Sequence, residues 1–521
     1  MKNQLQKSVL IATLAFIGLS NVANAQVVLV EPSGTGSQDI NRLSRSGNNL
    51  FFVGREQGGS ATDVYLWSND GTTSTKINFL SSLTANINPS YFYPCNGKTF
   101  FFYSDGVSVS GYEPWVTDGT SAGTMMIKNI NSGASNSVAS NGAQDCFCYN
   151  NKIYFSANDG TNGTELWVSD GTSAGTMMVK DINVGSGSSV LSAGAMYGFV
   201  LYNSELYFLA KSSTAPELWH TDGTTTGTLQ VANPSGLSAI WSTSVLSVHN
   251  NMLYFLGTYN SQNNSLMKSD GTTNGTVLVG NNFPTSGFTP QMGSMKSLGT
   301  EAIFNYNIVT RDGIYKTDGT SISLIKDSMS FGSRVILGSN ILFRSTGLWI
   351  TDGTPGGTLQ LNAVSGPSFS PVINGKVYFS SLGNNIWETD GTVSGTSQIA
   401  TISTVMDFTE LNGELFFMAK NSANGNRIEL FKLGTTTGIS DLADNNFIAV
   451  YPNPASQQLF IELSDYKNTT AEIFNMQGQL LQSINLQSSK TTVSGDNLTT
   501  GIYFVKIKNT EGVTIKKFVK D

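Results

Sequence analysis

The chain is patterned as short, nearly continuous apolar runs separated by polar, turn-forming stretches. Runs such as Lys152-Ile153-Tyr154-Phe155, Glu205-Leu206-Tyr207-Phe208 and Lys376-Val377-Tyr378-Phe379 each follow a turn-forming stretch, usually Asn-rich. Apolar residues at i, i+3, i+4 and i+7 are nowhere sustained over three turns, so the pattern predicts strands. A strand with one solvated face alternates apolar and polar positions, whereas continuous runs fit sheets covered on both faces. After each aromatic run come a loop, a strand of the type Glu165-Leu166-Trp167, a D-G-T turn and an outgoing strand such as Thr176-Met177-Met178-Val179-Lys180. With the β-prone stretch before the next Asn turn, each unit holds four short strands.

The unit repeats. Trp115 to Thr124 returns almost verbatim as Trp167 to Thr176, and again from Trp219 to Thr228. Asp-Gly pairs begin at Asp70, Asp118, Asp170, Asp222, Asp270, Asp318, Asp352 and Asp390, at intervals of 34 to 52 residues. Six keep the full D-G-T-x-x-G-T turn: Asp118-Gly119, Asp170-Gly171, Asp222-Gly223, Asp270-Gly271, Asp352-Gly353 and Asp390-Gly391. A ninth, worn copy is Phe431-Lys432-Leu433-Gly434-Thr435. Four-stranded units of this length, each packed between two neighbours, predict an all-β fold: a β-propeller of about eight to nine blades. An open β-solenoid is the alternative. Val27-Val28-Leu29-Val30 matches the outgoing strand that the ninth unit lacks, so the first strand is expected to complete the last blade and close the ring.

Charged residues make up only 12% of the 521, and the net charge of −7 argues against an electrostatic nucleic-acid partner. The N-terminus carries Lys2 and Lys7, an apolar run from Val9 to Leu19, and Ala23-Asn24-Ala25. These are the parts of a secretory signal, so residues 1–25 are expected to be removed between Ala25 and Gln26. No other segment approaches 18 apolar residues, and no transmembrane segment is expected in the mature chain. Of the three cysteines, Cys146 and Cys148 share a strand face and are poor partners for each other. A bridge from Cys95 to one of them and three buried thiols both remain open.

Six of the seven tryptophans (Trp67, Trp115, Trp167, Trp219, Trp349, Trp387) occupy one slot, three residues before the motif Asp. Met267, Tyr315 and Phe431 fill it elsewhere, which favours packing between blades over a glycan-stacking platform. The motif Asp suits a turn in which its carboxylate accepts nearby backbone N–H groups and the following Gly is left-handed. Calcium is the competing reading, but it needs six to eight oxygens and each unit offers one Asp. The loop Asn158-Asp159-Gly160-Thr161-Asn162-Gly163 lacks the spaced acids of an EF-hand. No cofactor is expected. His220 reads as a solvated strand residue. The seven arginines (Arg42, Arg45, Arg55, Arg311, Arg334, Arg344, Arg427) are scattered along the units, and nothing in their spacing supports an inward-facing trio. No metalloprotease, nucleophile-elbow, Walker or C-x-x-C motif occurs, so no catalytic residue is nominated.

Residues 441–447 read as a linker, and 448–521 as a separate module. Strands are predicted near Gln458–Leu463, Thr470–Phe474, Leu480–Leu486, Gly501–Lys508 and Val513–Val519, enough for a small Ig-like β-sandwich. Tyr451-Pro-Asn-Pro454, Ile473-Phe-Asn-Met-Gln-Gly-Gln479, Leu498-Thr-Thr-Gly-Ile-Tyr-Phe-Val-Lys506 and the basic end Lys516-Lys517-Phe518-Val519-Lys520 resemble the type A C-terminal sorting domain of the type IX (Por) secretion system of Bacteroidetes. The resemblance implies passage by the general secretory pathway to the periplasm. The type IX machinery then delivers the protein to the medium or the outer-membrane surface. Most of residues 27–440, within the propeller region 26–440, is similar to E-L-W-x-T-D-G-T-x-x-G-T repeat proteins often found with such tails, a likeness that implies architecture alone. The expected function is a non-catalytic binding or adhesion propeller, with a glycan or another surface macromolecule as partner. The alternative is a carbohydrate-active hydrolase or lyase using carboxylates at the propeller channel.

Overall fold

Turn signals spaced every few residues leave room only for short strands, and these assemble into small antiparallel sheets in chain order. The computed structural model describes residues 27–521 apart from 31–36, 57–63, 79–90, 105–110, 139–145, 191–197, 242–244, 282, 284–290, 309–310, 365–367, 382–383, 423–424, 435–447, 453, 464–465, 476–478 and 509–512. The signal segment with its Ala25–Gln26 junction, and the linker at 441–447, lie outside the described residues. The chain divides into two compact units, with the boundary between Gly434 and Thr435.

The first unit contains nine sheets, here called blades, and no α-helix among the described residues. Blade one comprises Ser37–Ser46, Asn49–Glu56, Val64–Asn69 and Ser74–Ile77. Blade two comprises Tyr93–Cys95, Lys98–Tyr103, Glu113–Thr117 and Met125–Met126, and blade three Phe147–Tyr149, Lys152–Asn158, Thr164–Ser169 and Met177–Lys180. Blades four to eight repeat the plan up to Ala400, with the first strand split into two segments in blades five and six. Blade nine is built from Met406–Leu411, Glu414–Asn421 and Arg427–Leu433, and its fourth strand is Val27–Leu29. That pairing is antiparallel, Val27 opposite Leu433 and Leu29 opposite Phe431, so the ring closes as the sequence predicts.

Tight turns make the meander. Between the first two strands of blade three, Asn150 and Asn151 have φ of 48° and 62°. Two left-handed residues in succession match the twist of the flanking strands, and Asn tolerates that conformation better than most residues.

Packing is between blades. Each of nine apolar clusters draws its members from two consecutive blades. Phe51 and Leu66 of blade one meet Phe101 and Trp115 of blade two. The series ends where Phe416 and Met418 of blade nine meet Phe52 and Trp67 of blade one. Because successive strand residues face opposite neighbours and both faces are covered, runs such as Leu206–Ala210 are buried throughout. Contacts between consecutive blades run through their first strands, from Ser37–Ser46 to Tyr93–Cys95 to Phe147–Tyr149, and from Met406–Leu411 back to Ser37–Ser46. First strands therefore stand nearest the axis and fourth strands at the rim.

Side-chain ties reinforce the seams. The residue ending the first strand donates to a carbonyl in the next blade's turn: Tyr149 Oη to Ser204 O at 2.5 Å and Tyr202 Oη to Asn251 O at 3.0 Å. A disulfide joins Cys95 of blade two to Cys148 of blade three, resolving the choice that the sequence leaves open, and Cys146 lies outside it.

The second unit holds two antiparallel sheets. One is formed by Ile448–Tyr451, Gln458–Leu463 and Lys490–Ser494, the other by Leu480–Asn485, Thr470–Asn475, Gly501–Lys508 and Val513–Lys520. Leu459, Ile461 and Val493 of the first share a core with Ala471, Ile473, Val505 and Phe518 of the second, the arrangement of a small β-sandwich.

Candidate functional site

The most regular residues of the chain, the D-G-T turns, form a closed hydrogen-bond set. In blade three, Asp170 Oδ1 accepts the Thr172 N–H at 2.8 Å and the Thr172 hydroxyl at 2.7 Å. Thr172 Oγ1 accepts the Gly175 N–H at 3.0 Å, and Thr176 Oγ1 donates to Thr172 O at 2.7 Å. Ser169 Oγ accepts the Gly171 N–H at 3.0 Å and lies 2.6 Å from Thr176 Oγ1. Since the Thr176 proton is committed to a carbonyl, Ser169 is the donor of that pair. The same bonds to the Asp carboxylate recur at Asp118, Asp222, Asp270, Asp352 and Asp390. Hydrogen bonds from the threonine two residues on hold all six carboxyls below the usual carboxylate range.

Both glycines of the motif have steric reasons. Gly119, Gly171, Gly223, Gly271, Gly353 and Gly391 have φ between 87° and 95°. A Cβ on Gly223 would overlap the Tyr154 hydroxyl of the preceding blade, and one on Gly271 would overlap that of Tyr207. A Cβ on the second glycine, Gly175, would overlap the Asp170 carboxylate. The turns thus serve as turns and as contacts between blades. The tempting loop at Asn158 is also internally bonded: Asp159 Oδ1 accepts the Thr161 and Asn162 N–H groups at 2.8 Å. Among the described residues, no three His, Cys, Asp or Glu side chains are grouped to hold a metal ion.

The tryptophan slot is a packing position. Trp67, Trp115, Trp167 and Trp219 are 3–6% exposed and lie in the clusters between blades, with Trp349 and Trp387 packed against equivalent clusters. His249 takes the place of Tyr149 and Tyr202 at the end of a first strand, with Nε2 3.1 Å from Thr300 O and Nδ1 2.9 Å from Ser297 Oγ. His220 is half-buried where a solvated residue is expected: its ring stacks on Tyr207, and Nδ1 lies 2.8 Å from Glu205 Oε2.

Sequence reasoning passes over the Glu of the E-L-W strand. Glu113 and Glu165 are fully buried. Glu113 accepts the Ile130 N–H at 2.8 Å and the Ser137 hydroxyl at 2.7 Å. Glu165 accepts the Ile182 N–H at 2.9 Å and the Ser189 N–H at 3.1 Å. Both glutamates have their partners at spacings of 17 and 24 residues, a regularity that shows only once those partners are known. Burial pushes both carboxyls up, Glu165 to about 7. An inaccessible carboxyl with its oxygens on loop backbone is an anchor for residues 130–137 and 182–189.

The arginines depart from the sequence expectation. In each blade the first-to-second and third-to-fourth turns share one end, and the longer loops and interblade links share the other. At the loop end, where blade nine meets blade one, two of the seven arginines converge on one carboxylate, and a third, Arg42, lies on the first strand of blade one that carries it. Asp39 Oδ2 pairs with Arg55 and, at 2.6 Å, with Arg427. The Arg42 guanidinium lies 5.1 Å from the centroid of the Tyr91 ring, and Tyr91 is 57% exposed. Arg42 also acts electrostatically on Tyr112 and Asp407, and the Asp407 carboxylate accepts the Leu43 N–H. Arg45 pairs with Glu410 across the same seam toward the turn end. Arg334 of blade seven is held by neutral acceptors, including Ser294 O at 2.7 Å and Asn305 Oδ1 at 3.3 Å. Linear spacing hides the convergence because ring closure brings residue 427 beside residue 39.

Comparison with known proteins bears mainly on the second unit. Residues 449–521 match the family model of the secretion system C-terminal sorting domain. No curated protein sequence matches the chain. Among solved structures, PorZ, a surface component of the type IX secretion system of Porphyromonas gingivalis, aligns at 12% identity over 93% of this chain and 75% of its own, with a TM-score of 0.35. The computationally designed protein Ika8 aligns at 12% identity over 78% of this chain and 99% of its own, with a TM-score of 0.37. A prolyl endopeptidase aligns at 8% identity over 83% of this chain and 55% of its own, also with a TM-score of 0.37. The propeller architecture rests on the strand pairing above.

Proposed function

We propose that the chain acts outside the cell as a non-catalytic binding or adhesion propeller, whose partner is a glycan or another surface macromolecule. The sorting domain at 449–521 marks it as a type IX secretion protein with a cell-surface or secreted destination. On this reading the first 25 residues take it to the periplasm by the general secretory pathway, and the type IX machinery of a Bacteroidetes bacterium completes export. Among the described residues, no helix is long and apolar enough to cross a membrane.

The observation that carries the binding reading is how the repeat uses its polar residues. The six full-motif aspartates are occupied within their turns, the motif tryptophans lie between blades, and Glu113 and Glu165 are sealed from solvent. Scaffold consumes the regular positions, so recognition falls to the irregular ones at the loop end. Incubating the purified protein with a polysaccharide panel tests this. Binding without shortening of any chain is the expected result, and reproducible cleavage by the pure protein would replace it with a hydrolase or lyase using channel carboxylates.

A further inference from the structure

We propose that the loop end of the seam joining blades nine, one and two binds a saccharide bearing a carboxylate, with the anion on Arg42 and the sugar ring against Tyr91. The inference rests on the binding reading above and names its site and ligand class.

Blade one departs from the repeat at this place. Its first strand runs ten residues, Ser37–Ser46, against three in blades two to four. Its pairing shifts twice, between Gln38 and Asn41 and between Asn41 and Ser44. Met406–Leu411 of blade nine shifts once, between Met406 and Thr409. The shifts place Asp39, Arg42 and Asp407 at φ of 52°, 58° and 49°. Side-chain-bearing residues held there cost on the order of 1 kcal/mol each or more. First strands of blades two to four pack without such shifts and those of blades five and eight carry one each, so two shifts in one strand are particular to blade one. What a bulge does is re-aim side chains, and here the re-aimed ones are charged.

The chemistry of the group is specific. Arg42 makes no ion pair among the described residues, and its guanidinium rests over the Tyr91 ring. A guanidinium held over a ring face can present its N–H edge to a planar, bidentate acceptor, which a carboxylate supplies. Arg55 and Arg427 are both spent on Asp39, while Arg42 acts electrostatically on Asp407, whose carboxyl is raised by burial. Carboxyl groups at Asp39 and Asp407 favour a singly charged anion over a dianion such as phosphate. The exposed part of Tyr91 is the adjacent apolar surface on which the C–H face of a sugar packs. Asp39 with Arg55 and Arg427 accounts for clamping the seam. That role needs neither Arg42 nor an exposed tyrosine.

Titration calorimetry of the full chain against trigalacturonate, a mannuronate trisaccharide and a hyaluronan tetrasaccharide tests the site, with the neutral methyl ester of trigalacturonate as control. At least one acidic probe binds, the ester does not, and Arg42→Ala or Tyr91→Ala weakens binding tenfold or more at unchanged melting temperature. Arg42→Lys, which keeps charge and fold but loses the planar fork, loses a smaller part. Failure of all three acidic probes overturns the proposal, as does wild-type affinity in Arg42→Ala. Binding of neutral glycans alone removes this site and leaves the binding reading standing. Arg42-dependent shortening of a probe keeps the site and removes the non-catalytic reading.

Discussion

Gly223 of blade four lies against the Tyr154 hydroxyl of blade three, so that a Cβ at 223 would stand well inside contact distance of the oxygen. The left-handed φ of 95° at Gly223 adds a second obstacle to any side chain. Gly223→Ala is therefore expected to destabilise the propeller by about 2–3 kcal/mol, the sum of left-handed strain and overlap. Tyr154→Phe in the same chain removes the overlapping oxygen and should recover part of the loss. Gly47→Ala, at φ 60° with open space around it, provides the strain-only reference. Thermal unfolding of the three variants beside wild type checks this, and equal losses at 223 and 47 would show that the interblade contact is unimportant.

The motif carboxylate is expected to work as a turn anchor. Asp170→Ala removes the acceptor for both Thr172 donors and should cost about 1–2 kcal/mol. Millimolar calcium should leave the wild-type melting temperature unchanged. A calcium-dependent rise of several degrees that Asp170→Ala abolishes would establish a metal role for the turn instead.

Glu165 gives stability a definite pH dependence. Its folded-state value of about 7 lies above the ordinary 4.5, so the native state holds a proton that the unfolded chain releases. The resulting stabilisation is complete below about pH 4.5 and is lost as pH rises through about 7, amounting to about 3 kcal/mol. Glu113 acts in the same direction. The depressed motif aspartates act oppositely, but at lower pH. Denaturant unfolding from pH 4.5 to 8 should show wild type losing stability across this window relative to Glu165→Gln, which cannot titrate. Parallel curves would mean that Glu165 is not sealed from water.

The Cys95–Cys148 bridge links the first strands of two blades across 53 residues of chain. A closed loop of that size constrains the unfolded chain by about 4 kcal/mol. Alkylation without reductant should label Cys146 alone, and Cys95→Ser should lower the melting temperature. Three labelled cysteines in freshly secreted protein would contradict the bridge.

Much of this architecture is written in the repeat. Asn turns, aromatic runs and D-G-T turns mark most strands of the propeller, and Val27–Leu29 announces the closure. Within the tail, the five expected strands appear within a residue or so of their bounds. Ile448–Tyr451 and Lys490–Ser494 are not among them, and the second escapes notice because its sequence, Lys-Thr-Thr-Val-Ser, carries one strong apolar residue for a one-sided strand. The seam group was illegible for another reason. Nothing in linear order brings Arg427 beside Asp39, and bulges that turn Arg42 toward Tyr91 leave no compositional trace. Glu113 and Glu165 were legible only as a spacing, seen once their partners are known.

The export assignment is tested most directly by deleting residues 449–521 in the native host and fractionating the cells. The truncated protein should accumulate in the periplasm, folded and absent from surface and medium. Its arrival at the surface or in the medium in wild-type amounts would contradict the assignment of those residues as the sorting signal.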